Sequence, residues 1–110
     1  ARAEVVCPLG LGGHVDHRLT RAAAEKLGRR LWYYADYPYV LRQMGDLQAL
    51  EEAGWQKMVT PVRAAGLKAW QASIAAHGSQ ISTFWDSLEE MEAEMEVYSM
   101  VMGGGALFRL

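Results

Sequence analysis

The chain has 110 residues, which suits one domain or part of one. With 51% hydrophobic residues it can bury a core, and 11 basic against 13 acidic residues leave a net charge of −2, which lacks the electrostatic footprint of a nucleic-acid or anionic-membrane binder. No run approaches the roughly 18 consecutive apolar residues of a membrane span, and the lone Cys7 excludes an internal disulfide, which points to a reducing compartment such as the cytoplasm.

Ala1-Arg2-Ala3-Glu4 carries neither an initiator Met nor the apolar core of a signal peptide, so the front of the chain is expected to be processed, cut or truncated. Glu4 to Leu9, with Val5, Val6 and Cys7, predicts a short buried strand that ends at Pro8 and the glycines beyond it. Gly10-Leu11-Gly12-Gly13 predicts a loop whose backbone can approach a ligand closely. A helix is expected from Asp16 to Leu27, with Asp16 as its N-cap, Leu19, Ala22, Ala23 and Leu27 at helical spacing, and Gly28 as its stop. Leu31 to Tyr34 predicts a second strand, and Tyr37-Pro38-Tyr39 interrupts regular structure.

A helical stretch is expected from about Leu41 to Ala53, a third strand from Trp55 to Val62, and a helix from Leu67 to Ala76. One helical region is expected from Ser79 to Met102, its acidic run Glu89 to Glu96 forming a solvated face over Met91, Met95 and Val97. Gly103-Gly104-Gly105 breaks it, and Ala106 to Leu110 reads as a last short strand. The resulting order predicts an α/β chain, part of a Rossmann-like, mostly parallel sheet with flanking helices. Such sheets bind ligands at the carboxyl ends of their strands, where the glycine loop and the residues after it fall.

His14-Val15-Asp16-His17 places two imidazoles and a carboxylate within one helical turn, beside Gly10, Gly12 and Gly13, at a strand-to-helix junction. Imidazole is a common zinc ligand, and a helix N-terminus favours developing negative charge. The residues alone leave a second reading open, a helix start capped by Asp16 with incidental surface histidines. A metal site needs further ligands, and no other cluster in the chain supplies them. Asp36, Tyr37 and Tyr39 are candidates for a substrate rim or for a Pro-fixed turn with packed tyrosines. Arg42 is a candidate contact for a sugar or phosphate, or a surface ion-pair partner. Cys7 reads as a small buried apolar residue.

Four segments resemble one family in order. Pro8-Leu9-Gly10-Leu11-Gly12-Gly13-His14-Val15-Asp16-His17-Arg18 is similar to the second signature of the PIG-L/LmbE N-deacetylases. Trp32-Tyr33-Tyr34-Ala35-Asp36-Tyr37-Pro38-Tyr39 resembles their aromatic-acidic-Tyr-Pro segment. Lys68-Ala69-Trp70 with His77-Gly78-Ser79-Gln80, and the closing Gly-Gly-Ala-Leu-Phe-Arg, resemble two later stretches. The resemblance implies the C-terminal portion of a single zinc-dependent deacetylase domain acting on N-acetylglucosamine-type substrates. It implies His17 as a zinc ligand, His14 as stabiliser of the oxyanion or proton donor to the leaving amine, and Asp16 as the group that orients or charges His14. Asp36, Tyr39 and Arg42 would then contact substrate.

The family's other two zinc ligands and its general base lie in a His-Pro-Asp-Asp-Glu motif that this sequence lacks. The resemblance therefore implies a missing N-terminal half, or a partner chain, that completes the zinc site; a homo-oligomer is left open. Gly12 stands where some members carry a catalytic Tyr, and His77 where Tyr is frequent. The alternatives are a non-catalytic α/β interaction module, or degenerate remnant, that keeps the scaffold, and an unrelated metal hydrolase whose site closes between subunits.

Overall fold

The computed structural model describes residues 3–110; Ala1 and Arg2, which open the processed-front reading, lie outside the described residues. The elements are β1 (Val5–Pro8), α1 (Val15–Glu25), β2 (Leu31–Tyr34), α2 (Met44–Glu52), β3 (Gln56–Thr60), α3 (Ala64–Ala75), α4 (Gly78–Phe84), α5 (Leu88–Met102) and β4 (Gly105–Arg109). Short 3-10 turns cover Leu11–Gly13 and Tyr39–Arg42. The chain divides into two compact units, one holding the residues up to Met58 with Ala106–Leu110, the other Val59–Gly105.

The sheet has the strand order β1-β2-β4-β3, and the first unit holds β1 and β2 whole with most of β3 and β4. β1 and β2 run parallel, with Val5 opposite Leu31 and Pro8 opposite Tyr34, and α1 makes the crossover between them. Parallel neighbours need such a crossover because a tight hairpin cannot reverse the chain twice. β2 and β4 are antiparallel, with Tyr33 opposite Phe108. The architecture is α/β as expected, but the sheet is mixed and not mostly parallel. Alternation of apolar residues shows which face of a strand is buried and carries no information on strand direction, which is why the sequence misjudged β4.

Cys7, Leu9, Ala24, Leu31, Trp32, Tyr33, Val40, Leu47 and Phe108 are buried in this unit. Trp32 lies under the Arg109 guanidinium, 4.0 Å from the ring centroid, and Tyr33 meets Trp55 edge-on at 5.3 Å. Cys7 is 2% exposed, and burial pushes its thiol up despite the opposing pull of nearby Arg21, which fits the small apolar residue expected there.

The second unit is helical apart from its strand ends. α3 packs on both α4 and α5, and Ile81, Trp85, Met91, Met95 and Met102 are buried. The region expected as one helix from Ser79 to Met102 is two, because Ser87 caps a new start. Its hydroxyl accepts the Glu90 amide at 3.1 Å, while the Glu90 carboxylate accepts the Asp86 amide at 3.0 Å. α5 closes on Gly103 at φ 81°, with the Gly104 amide donating to the Ser99 carbonyl at 3.0 Å.

Burial pushes the Tyr98 phenol up to about 12. The fold thus favours the neutral phenol. Its contribution is intact below the ordinary tyrosine value of about 10 and is lost as pH rises through about 12. Tyr98→Phe should flatten the alkaline loss of helical circular dichroism across that window. An unchanged loss would assign it to other groups, such as Tyr33 and Tyr34, whose phenols burial also raises.

Candidate functional site

β1 and β2 end side by side, and the chain leaves both at the same edge of the sheet. Leu9 extends the pairing by donating to the Tyr34 carbonyl at 3.0 Å. Gly10 then turns at φ 88°, and the Gly13 amide closes on the Gly10 carbonyl at 3.1 Å. Asp36 lies just beyond the end of β2 and is completely buried. Its Oδ2 accepts the Gly10 and Leu11 amides, each at 2.7 Å. Its Oδ1 faces His17 Nδ1 at 2.9 Å.

His17 sits in the first turn of α1, with its side chain 32% exposed. Nδ1 itself is sealed from solvent, so the exposure lies on the rest of the ring. The line from Nδ1 to Oδ1 is bent away from ideal hydrogen-bond geometry, and neither atom has another partner among the described residues. A bare ring nitrogen facing a carboxylate oxygen at this distance would set two lone pairs against each other, so Nδ1 carries the shared proton. In the neutral ring, Nε2 then carries the lone pair.

His14 is the N-cap of α1: its Nδ1 accepts the Asp16 amide at 3.2 Å. This corrects the expectation that Asp16 caps the helix. Asp16 already lies in the first turn, where a carboxylate suits the positive end of the helix dipole. Its carboxylate stands 4.0 Å from His14 Nδ1 and is 80% exposed, so water screens its effect on the ring. Asp16 holds His14 chiefly through its backbone N–H.

Tyr39 completes the group. Its ring centroid lies 6.2 Å from that of His14 and 6.0 Å from that of His17, and the two imidazoles are 5.1 Å apart. Arg42, at the end of the turn that starts at Tyr39, is exposed. The structure therefore brings His14, Asp16, His17 and Tyr39 together beyond the carboxyl ends of β1 and β2 and leaves Arg42 exposed, near them in sequence. Asp36 is placed inside the fold, with both oxygens turned to protein groups instead of to an open rim.

Two residues that the sequence did not single out also hold the loop. Gln43 Oε1 accepts the Gly12 amide at 3.2 Å. Arg21 donates to the Leu9 carbonyl at 2.7 Å, pairs with Glu25 at 3.1 Å and lies over the Tyr33 ring. Arg21 and Glu25 are visible beforehand as an i,i+4 pair on α1. Nothing local marks Gln43, because its contact spans 31 positions.

Among the described residues no three His, Cys, Asp or Glu side chains gather as a metal-binding group. The donor set fits a metal only as one part of a ligand shell, with His17 Nε2 as the oriented donor. No family model, curated protein or solved structure matches the chain.

Gly12 has φ 84°, and a Cβ there would lie 2.6–2.8 Å from the Tyr39 side chain. Gly13 has φ 71° with open space around it. Gly13→Ala should cost about 1–2 kcal/mol, the strain of a left-handed L-residue. Gly12→Ala should cost a further 1–3 kcal/mol or so for overpacking, and Tyr39→Ala in the same chain should recover that increment. Urea unfolding of the three variants checks this. Equal costs at the two glycines would mean that the Tyr39 ring yields freely.

Proposed function

We propose that the chain is part of a zinc-dependent N-deacetylase acting on an acetylated amino sugar, and that it contributes His17 to the metal. The remaining ligands and the general base come from a segment outside these residues or from a partner chain. The observation that carries this reading is the clustering of two imidazoles at a helix N-terminus and strand end, one of them with Nδ1 against a buried carboxylate. Metal-ligating histidines commonly turn their second ring nitrogen to a carboxylate in this way. The motif resemblance supplies the reaction class.

When bound, zinc polarises the amide carbonyl and lowers the pKa of its water towards about 7. His17 offers Nε2 to it. His14 has Nδ1 engaged as the helix cap, so its Nε2–H is the group left to donate to a developing oxyanion or to the departing amine. Asp16 keeps that ring in place through its amide. Tyr39 flanks both imidazoles and offers a ring face to a sugar. Arg42 lies exposed after the turn and suits a polar or anionic part of a larger substrate. Asp36 is too deeply buried to touch substrate and acts through its neighbours. Among the described residues no helix is long and apolar enough to cross a membrane.

The test is zinc titration and release of acetate from an N-acetylglucosaminyl substrate, with and without a segment bearing the His-Pro-Asp-Asp-Glu motif. The 110-residue chain alone should neither hold zinc tightly nor turn over, because one ligand cannot fix a tetrahedral site. Adding the segment should restore both, and His17→Ala should abolish the gain. Turnover by the chain alone, or zinc held as tightly after His17→Ala, defeats the site assignment. Stable association with the segment but no zinc uptake favours the non-catalytic interaction module.

A further inference from the structure

The carboxylate of Asp36 joins two parts of the site: the backbone of the glycine turn and the ring of His17. We propose that Asp36 is a positioning residue that fixes His17 in its Nδ1–H tautomer and thereby presents Nε2 as a metal donor. Its second oxygen locks the Gly10–Leu11 turn beside it. The use made of the free Nε2 rests on the reading of His17 as a ligand; the tautomer does not.

The geometry divides the two oxygens cleanly. Oδ2 takes two backbone donors at 2.7 Å each, which holds the carboxyl plane in one orientation. That orientation aims Oδ1 at His17 Nδ1, 2.9 Å away. Both facing atoms are buried, so water cannot take over either role. A neutral imidazole has one N–H and one lone pair, and fixing the proton on Nδ1 fixes the lone pair on Nε2. His14 shows the opposite arrangement, with Nδ1 accepting the Asp16 amide and its proton on Nε2. Neighbouring imidazoles of one motif are thus set as one acceptor and one donor towards a ligand, each by a different protein group.

Asp36→Asn tests this with little change in volume. Asn has one acceptor oxygen and one NH2. Two converging amides, Gly10 and Leu11, hold the oxygen on their side, which turns the NH2 towards His17. Nδ1 must then accept, and the proton moves to Nε2, removing the lone pair a metal would use. The readout is the ring 15N spectrum of the whole chain, free of metal, because protonated and bare imidazole nitrogens differ widely in shift.

In the unsubstituted chain His17 should show a protonated Nδ1 and a bare Nε2, and His14 the reverse. Asp36→Asn should invert His17 and leave His14 as it was. The unsubstituted spectrum decides even where the variant does not fold: a bare Nδ1 at His17 overturns the proposal. So does a folded Asp36→Asn chain in which His17 keeps its tautomer. With the completing segment present, Asp36→Asn should weaken zinc binding roughly 10–100-fold. Zinc uptake indifferent to His17→Ala, alongside the expected tautomers, would remove the metal reading and leave the positioning role standing.

Discussion

A carboxyl group sealed inside a protein must find partners for both oxygens, because an unsatisfied one forfeits several kcal/mol of hydration. Asp36 meets that condition on one oxygen with the Gly10 and Leu11 amides, and on the other with the His17 ring, whose Nδ1 faces it at 2.9 Å as a close polar contact. The parallel register makes this possible. Pro8 stands opposite Tyr34, so Gly10 and Asp36 both come two residues further along their own strands, at the same edge. The amides there must be free of helix or strand pairing to serve a side chain, which is why the chain opens into a glycine turn before α1. Shift the register by one residue and the carboxylate would face the wrong backbone groups.

The turn is held from the other side by Tyr39 and Gln43, both placed by the short turn after β2. The aromatic ring occupies the volume that a Cβ at residue 12 would need, and the Gln43 amide oxygen takes the Gly12 N–H. Gly12 therefore answers to two constraints, a left-handed backbone and a ring pressed against it. Some members of the family that the sequence resembles carry a tyrosine at the position of Gly12; here the ring of Tyr39 lies close to both imidazoles. The two arrangements exclude each other sterically, since a side chain at residue 12 and the present Tyr39 ring claim the same space.

Much of the fold was legible because it rests on local signals. Leu31 to Tyr34 was expected as a strand and is one. The cores of α1, α2, α3 and β3 lie within the stretches that periodicity marked, their ends shifted by a few residues. What failed depends on competition or distance. The break at Trp85 to Ser87 was written in the sequence as Ser87-x-x-Glu90, but the longer helical pattern obscured it. Nothing in the sequence marks His14 as the cap, because carboxylates and hydroxyls usually fill that place. At the site, proximity in sequence foretold that His14, Asp16 and His17 would converge. The burial of Asp36 was not foretold, since aromatic neighbours and a Tyr-Pro turn describe a rim as well as an interior. Only the pairing of β1 with β2 decides between them.

The same pairing bears on what one ligand can contribute to a shared site. A free histidine side chain must lose rotamer and tautomer freedom when it binds a metal, and that loss weakens binding. His17 has already lost much of it: its backbone is fixed in the first turn of α1, and its ring is held by a carboxylate whose own orientation is set by two amides. The restraint comes entirely from residues of this chain, through contacts that need no ion. In the proposed site, the completing segment would therefore meet a donor already fixed in place, and the cost of ordering would fall on the ligands it brings. A histidine ordered only by the metal would show the reverse, a ring free to turn until the shell was complete. The buried Asp36 is what separates these two cases, and it does so before any ligand arrives.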